Sequence, residues 1–217
     1  MLYLASQSPR RRELLEQIGV SYKVVRVNVD ETWHPAESPE DYVRRIAKAK
    51  AGAGKELHPE QPVLGADTSV VLENKPCGKP RDRQDGLEML LALSGRDHRV
   101  LSGVCLIHEM LHYRLSESHV RFRRISRNEA AAYWDTGEPV DKAGAYAIQG
   151  LAALFIRHIS GSYSGIMGLP LYETGEILAE AGLGSVRLGP ADANPMGTVA
   201  PEKAPIQARG EKFGYSK

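Results

Sequence analysis

Cysteine is scarce in this chain. The two present, Cys77 and Cys105, are too few for a disulfide framework or a paired CxxC metal site, so both read as ordinary thiols of a reducing compartment. Charge of one sign is not in excess either. Twenty-eight basic against 27 acidic residues leave a formal charge of +1, and that supplies no global field to draw the molecule onto nucleic acid or an anionic membrane. Any anion site has to be local. No apolar run reaches the length of a membrane span, and Arg10, Arg11 and Arg12 interrupt a signal-peptide core at once. The chain therefore reads as soluble and cytoplasmic. There is no GxxxxGK[ST] segment and no GxGxxG after a strand, which argues against a Walker-type NTPase and a dinucleotide fold.

What the sequence does hold, in 217 residues of which 42% are hydrophobic, is enough to bury a core in one domain with room for two lobes. Residues 2–5 form a strand pattern. Ser8 and Pro9 then give the N-cap and first position of a helix that Gly19 ends. Val25, Val27 and Val29 alternate as a half-exposed strand. Ser38, Pro39 and Asp41 cap a second helix with the stripe Val43, Ile46, Ala47 and Lys50, and residues 54–62 read as a connection. Residues 63–72 form a long apolar strand interrupted by Gly65, Asp67 and Thr68. A turn-rich loop follows over 74–80, then a helix marked by Leu87, Leu90 and Leu91 and closed by Ser94-Gly95. Strands over 99–108 and 118–125 flank a turn near 109–111, and Ser126 with Glu129 forms a capping box for a helix that stops near Gly137. A glycine-punctuated segment over 141–150, a strand over 154–159, a small-residue loop over 160–168 and a helix over 171–181 complete the pattern. Strand and helix alternate throughout, so the fold class is α/β, and the central hairpin makes the sheet mixed. The domain covers residues 1–188, and residues 189–217, poor in large apolar side chains, read as a flexible tail.

Chemistry gathers at a few places. Ser6, Ser8, Arg10, Arg11 and Arg12 surround a helix N-terminus, where cations oppose the macrodipole by about 0.3–1 kcal/mol each when exposed. A bound polyanion reverses that sign, because helix N–H groups, hydroxyls and guanidinium forks all suit phosphate oxygens. An isolated arginine run is usually just solvated. The strand, cap and arginine order together favour phosphate. Asp67 lies inside an apolar strand, where a carboxylate is costly unless paired, hydrogen-bonded or facing a cleft that needs a base or a metal ligand. Glu31, beside Asp30 in a loop, offers oxygens for Mg²⁺ or is simply solvated. Lys50 and Lys79 are either snorkelling side chains or phosphate contacts. His108 and His112 lack further ligand-spaced partners. The cluster Arg121, Arg123, Arg124 and Arg127 is explained as well by a solvated strand face as by nucleic acid.

With those residues in view, the chain resembles the Maf family of nucleotide pyrophosphatases from residue 2 to about 184. The resemblance rests on Ala5-Ser6-Gln7-Ser8-Pro9-Arg10-Arg11, Asp30-Glu31, Ala49-Lys50-Ala51, Gly65-Ala66-Asp67-Thr68, Gly78-Lys79-Pro80, Asp141-Lys142-Ala143-Gly144-Ala145-Tyr146, Ile148-Gln149-Gly150 and Gly161-Ser162-Tyr163. It implies an elongated, curved mixed sheet flanked by helices, with two lobes around a cleft as in inosine triphosphate pyrophosphatases, and a homodimer. It implies that Asp67 is the proton acceptor and that Arg10, Thr68 and Gln149 select the base. Ser6, Ser8, Arg11, Lys50 and Lys79 would hold phosphate. Glu31 and Asp67 would hold a divalent metal, Mg²⁺ first, with Mn²⁺ or Co²⁺ as substitutes. The combination of Arg10, Thr68 and Gln149 is similar to the subgroup that hydrolyses dTTP and UTP. The alternatives are a 7-methyl-GTP pyrophosphatase with the same chemistry, a septum-formation regulator that binds nucleotide or a partner protein without turnover, and a nucleic-acid module using Arg121 to Arg127. Near-neutral charge disfavours the last, and neither nucleic acid nor a membrane is expected as a partner.

Overall fold

The computed structural model describes residues 1–183, and the expected tail lies outside them. The described chain forms strands β1 (Leu2–Leu4), β2 (Tyr22–Val24), β3 (Val63–Leu72), β4 (Lys75–Cys77), β5 (Asp97–Ile107), β6 (Leu111–Phe122) and β7 (Ile156–Ser160). Helices α1 (Pro9–Gln17), α2 (Pro39–Leu57), α3 (Arg83–Leu93), α4 (Arg127–Asp135), α5 (Tyr163–Met167) and α6 (Leu171–Glu180) accompany them. The strands make one mixed sheet in the order β2-β1-β3-β5-β6-β7, with β4 also on β3. The expected mixed α/β class holds. No helix among the described residues is long and apolar enough to cross a membrane.

The two faces of the sheet are covered differently. On one face α2 lies along β3 and β5, burying Val43, Ile46, Ala47 and Ala51, and its approach is close because Gly65 has no side chain. A Cβ at Gly65 would stand 2.5 Å from the Ala47 carbonyl oxygen and 2.5 Å from the Ala51 nitrogen. On the other face two apolar cores form. One packs Leu14, Leu15, Leu169 and Ile177 on Leu64, Ala66, Val104 and Leu106. The second packs Leu87, Leu90, Tyr133, Tyr146 and Phe155 on Val70, Val100, Val120 and Phe122. Between these cores Thr68 and Ser102, opposite one another across the β3–β5 ladder, place hydroxyls on that face. The face is thus split into two lobes along a polar seam.

Several local expectations are corrected. The strand expected over Val25–Val29 ends at Val24, because its partner β1 stops at Leu4; the Val25 N–H bonding to the Leu4 carbonyl oxygen at 3.0 Å is the last rung. Helix α2 runs through Gly54 to Leu57, where a connection was expected, since Gly54 serves packing: a Cβ there would meet Val63 at 2.7 Å and Ala5 at 3.3 Å. Gly65, Asp67 and Thr68 do not interrupt β3, which pairs with β5 from Val63 to Val71. What approaches Gly65 is α2. The loop expected over 74–80 contains β4, pairing with Val70–Leu72, and β6 begins at Leu111 well before Ser118. The 160–168 stretch contains α5, capped by the Ser162 hydroxyl accepting from the Gly165 N–H. The capping box of Ser126 and Glu129 forms as expected.

Candidate active site

β3 carries the site because one of its edges is left open. β5 runs along one edge, while the other pairs with β1 only at Val63 and Leu64 and with β4 only at Val70–Leu72. Between them, among the described residues, Gly65 to Ser69 have no strand partner on that side. The opening leads to a cleft of about 900 Å³, lined by Ser6, Ser8, Arg10, Arg11, Glu31, Lys50, Asp67, Thr68, Lys79 and Gln149. Every site residue expected from the sequence reaches this one cavity. A more open depression of about 590 Å³ beside Arg12, Glu16 and Tyr22 holds none of them.

Adjacent residues of a strand point to opposite faces, so Asp67 and Thr68 meet different partners. Asp67, 6% exposed, turns toward α2, where the Lys50 ammonium donates to its Oδ1 at 2.9 Å and to Glu31 Oε1 at 2.8 Å. The Glu31 loop is held in place by the Tyr42 hydroxyl, which donates to the Glu31 carbonyl oxygen at 2.9 Å. Partial burial would raise the Glu31 carboxyl. The bond to Lys50 and the charges of Lys50, Lys79 and Arg11 outweigh it and hold the group below the usual carboxylate range. Burial, with Asp67 and Glu31 adding to it, pushes the Tyr42 hydroxyl up to about 12.

The helix N-terminus forms the opposite wall. Ser8 caps α1 by position, yet its side chain makes no cap bond, and the Ser8 N–H donates to Ser6 Oγ at 3.2 Å. Arg11 is buried, with its Nε donating to the Gly168 carbonyl oxygen at 2.8 Å and its Nη1 to Ser6 Oγ at 3.1 Å. Arg10 Nε donates to the Met167 carbonyl oxygen at 3.2 Å. Burial works against the charge of both guanidinium groups; Glu13 supports that of Arg10, and Asp67 with Glu31 that of Arg11. The cost of gathering cations here is offset by those carbonyls and carboxylates, and further by any anion the cleft receives.

Lys142, Tyr42 and Ser69 are among the lining residues to which sequence reasoning assigns no role. Lys142 joins Arg10 and Lys79 around the cleft, and its ammonium is lowered by burial first and by the nearby Arg10 and Lys79 charges. Its Asp141–Tyr146 segment passes through left-handed backbone at Asp141, Gly144 and Ala145 (φ 62°, 67° and 59°) and is tied to the Lys79 loop by the Gly144 N–H donating to the Gly78 carbonyl oxygen at 3.1 Å. Strained non-glycine backbone of this kind persists where surrounding structure enforces it, often at functional sites. Tyr42 and Ser69 also line the cavity. The lysine had a signal, its glycine-punctuated setting, whereas Tyr42 and Ser69 enter only through the fold. The weaker candidates fall outside the cleft: His112 meets Glu180 at 3.1 Å, Arg121 pairs with Asp97 and Arg123 with Glu129.

The dTTP/UTP pyrophosphatase of Alkalilimnicola ehrlichii is 57% identical over 185 residues, covering 82% of this chain and 92% of the relative. That of Saccharophagus degradans is 55% identical over 182 residues, with 82% and 87% covered, and that of Bordetella pertussis 52% over 192 residues, with 84% and 93% covered. Among solved structures, a nucleoside-triphosphatase / dITP/XTP pyrophosphatase from Mycobacterium abscessus overlaps weakly, at a TM-score of 0.39 and 19% identity over 57% of this chain and 74% of the other. The sequence profile of Maf-like proteins matches residues 1–181, and the chain belongs to that family.

Proposed function

We propose that this chain hydrolyses dTTP and UTP to the nucleoside monophosphate and pyrophosphate, with Asp67 as the proton acceptor for the attacking water. The observation that carries the proposal is the buried Asp67 carboxylate lining a cleft whose walls also hold Arg10, Arg11, Lys50, Lys79 and Lys142. The relatives named above as dTTP/UTP pyrophosphatases, similar over more than four-fifths of the chain, point to the same substrates. Water attacks the α-phosphorus and gives its proton to Asp67, the bond from that phosphorus to the bridging oxygen breaks, and pyrophosphate leaves with the electron pair. The cations gather and neutralise the triphosphate, so that positioning and electrostatics supply most of the rate.

Among the described residues no cluster of three or more His, Cys, Asp or Glu side chains converges on one point. Glu31 and Asp67 nevertheless share one cation, the Lys50 ammonium, at 2.8 and 2.9 Å, so two carboxylates lie within reach of a single positive centre. That donor pair fits Mg²⁺, which is commonly held by one or two carboxylates together with substrate phosphates. Glu31 and Asp67 would hold such an ion, with Mn²⁺ or Co²⁺ as substitutes, and it would neutralise charge on the phosphates.

Pyrophosphate release is measured from dTTP, UTP, CTP, GTP and 7-methyl-GTP with Mg²⁺, beside Asp67→Asn. The expected outcome is release from dTTP and UTP that falls by at least about 10²-fold in the variant, in the range that loss of a positioned base brings. Release mainly from 7-methyl-GTP would sink the pyrimidine specificity.

A further inference from the structure

A threonine hydroxyl has one hydrogen to give and two lone pairs to offer. Thr68 lines the cleft, and its Oγ1 lies 2.8 Å from Ser102 Oγ and 3.3 Å from the Gly168 carbonyl oxygen. Ser102 is 1% exposed, and its own hydrogen goes to the Gly165 carbonyl oxygen at 2.6 Å. With that hydrogen committed, the short contact between the two hydroxyls needs Thr68 as the donor. Were Ser102 to donate to Thr68 instead, its oxygen and that of Gly165 would face each other at 2.6 Å with no hydrogen between them, which repulsion disfavours. The Thr68 hydrogen is thus committed to Ser102 at 2.8 Å, while the Gly168 carbonyl oxygen at 3.3 Å lies beyond the usual hydroxyl-donor range of about 2.5–3.0 Å and does not hold it alone. A ligand that bonds to Thr68 has to bring the hydrogen itself.

We infer that Ser102 fixes Thr68 as a hydrogen-bond acceptor and thereby selects a base with a ring N–H, the N3–H of uracil or thymine, over cytosine, whose N3 is an acceptor. The inference rests on the dTTP and UTP reading of the cleft. Its force comes from comparing the three base-selecting residues. Arg10 offers only donors, which suit a carbonyl oxygen common to uracil and cytosine, and Gln149 can present either end of its amide. Both accommodate cytosine. Thr68 cannot, unless the chain from Thr68 through Ser102 to Gly165 is broken. Ser102 sits behind Thr68 and is a positioning residue: it reaches the base only through the threonine.

The test compares kcat/KM for UTP and CTP in the wild type, Ser102→Ala and Ser102→Thr, with a melting temperature for each. The wild type is expected to favour UTP. Ser102→Ala should narrow the UTP:CTP ratio by roughly three- to tenfold, the equivalent of one hydrogen bond, chiefly through a gain on CTP. Ser102→Thr keeps the hydroxyl and should restore the ratio. A role confined to stability would lower both substrates together, and an unchanged ratio in a folded Ser102→Ala protein overturns the inference. If the alanine variant does not fold, Ser102→Cys serves the same comparison, since a thiol is a weak donor and should narrow the ratio partway; an unchanged ratio there counts equally against it. A wild type that cuts UTP and CTP alike overturns the dTTP and UTP reading itself, and that result is visible before any variant is made.

Discussion

Lys50 holds two carboxylates of unequal exposure, with side chains 8% exposed for Asp67 and 48% for Glu31. Removing the ammonium strands the buried partner, whereas removing the exposed one does not. Lys50→Met is therefore expected to lower unfolding free energy by about 3–5 kcal/mol, and Asp67→Asn in the same chain to return most of that loss; urea denaturation of the single and double variants checks it. Glu31→Gln should cost no more than about 1 kcal/mol by the same measurement. A second residue carries the pH dependence. His98 is 3% exposed and its Nε2 is 2.9 Å from the Tyr146 hydroxyl. Burial lowers its pKa from 6.5 to about 4. Over that window the unfolded chain binds the proton more readily than the folded one, so stability falls as pH drops from 6.5 toward 4 and is fully present above it. Urea midpoints taken between pH 4.5 and 7.5 should show this slope in the wild type and a flatter one in His98→Phe.

Two glycines of opposite character test how α2 is seated on β3. At Gly65 a Cβ would strike helix backbone at 2.5 Å, while at Gly52, within α2, it would meet nothing within 4 Å. Gly65→Ala should push α2 away, costing about 1–3 kcal/mol as overpacking does and lowering kcat by displacing Lys50. Gly52→Ala should add about 0.5–1 kcal/mol, because alanine loses less backbone entropy in a helix. Melting curves and dTTP turnover of both variants decide the matter. The same two elements show what the sequence made legible. The limits of β3 and the capped start of α2 follow from local pattern, and so do nine of the ten expected cleft residues, each at a helix N-terminus, in a polar loop or within an apolar run; Gln149 comes only from the family resemblance. The end of α2 was hidden because a packing glycine looks like a stop signal. Ser102 was hidden because a lone serine in a strand reads as an ordinary polar position until Thr68 is seen across the ladder.

At the scale of the molecule, near-neutral charge and a cationic cleft make different predictions about salt. The Debye length shrinks from about 10 Å at 0.1 M to about 3 Å at 1 M ionic strength, so long-range attraction, weak at a formal charge of +1, has little to lose. The cleft cations act at contact range on a highly charged substrate. KM for dTTP is expected to rise several-fold across that range with kcat changed less than about twofold; a kcat that falls in step with affinity would contradict it. The polar seam between the two cores was not readable from the sequence. It depends on Thr68 and Ser102 being brought opposite one another, a matter of strand register and not of local composition.

The opening in β3 leads the cleft to two consecutive residues that look toward opposite faces of the sheet. On the proposed reading, bond cleavage falls to one face and base choice to the other, a single strand's thickness apart. Descendants of such a protein can exchange one base for another through substitutions around Thr68 and inherit the hydrolytic apparatus intact. What they cannot absorb is the gain or loss of one residue in β3 before Asp67, since a slip of one position turns every following side chain to the other face and would set the carboxylate against the base.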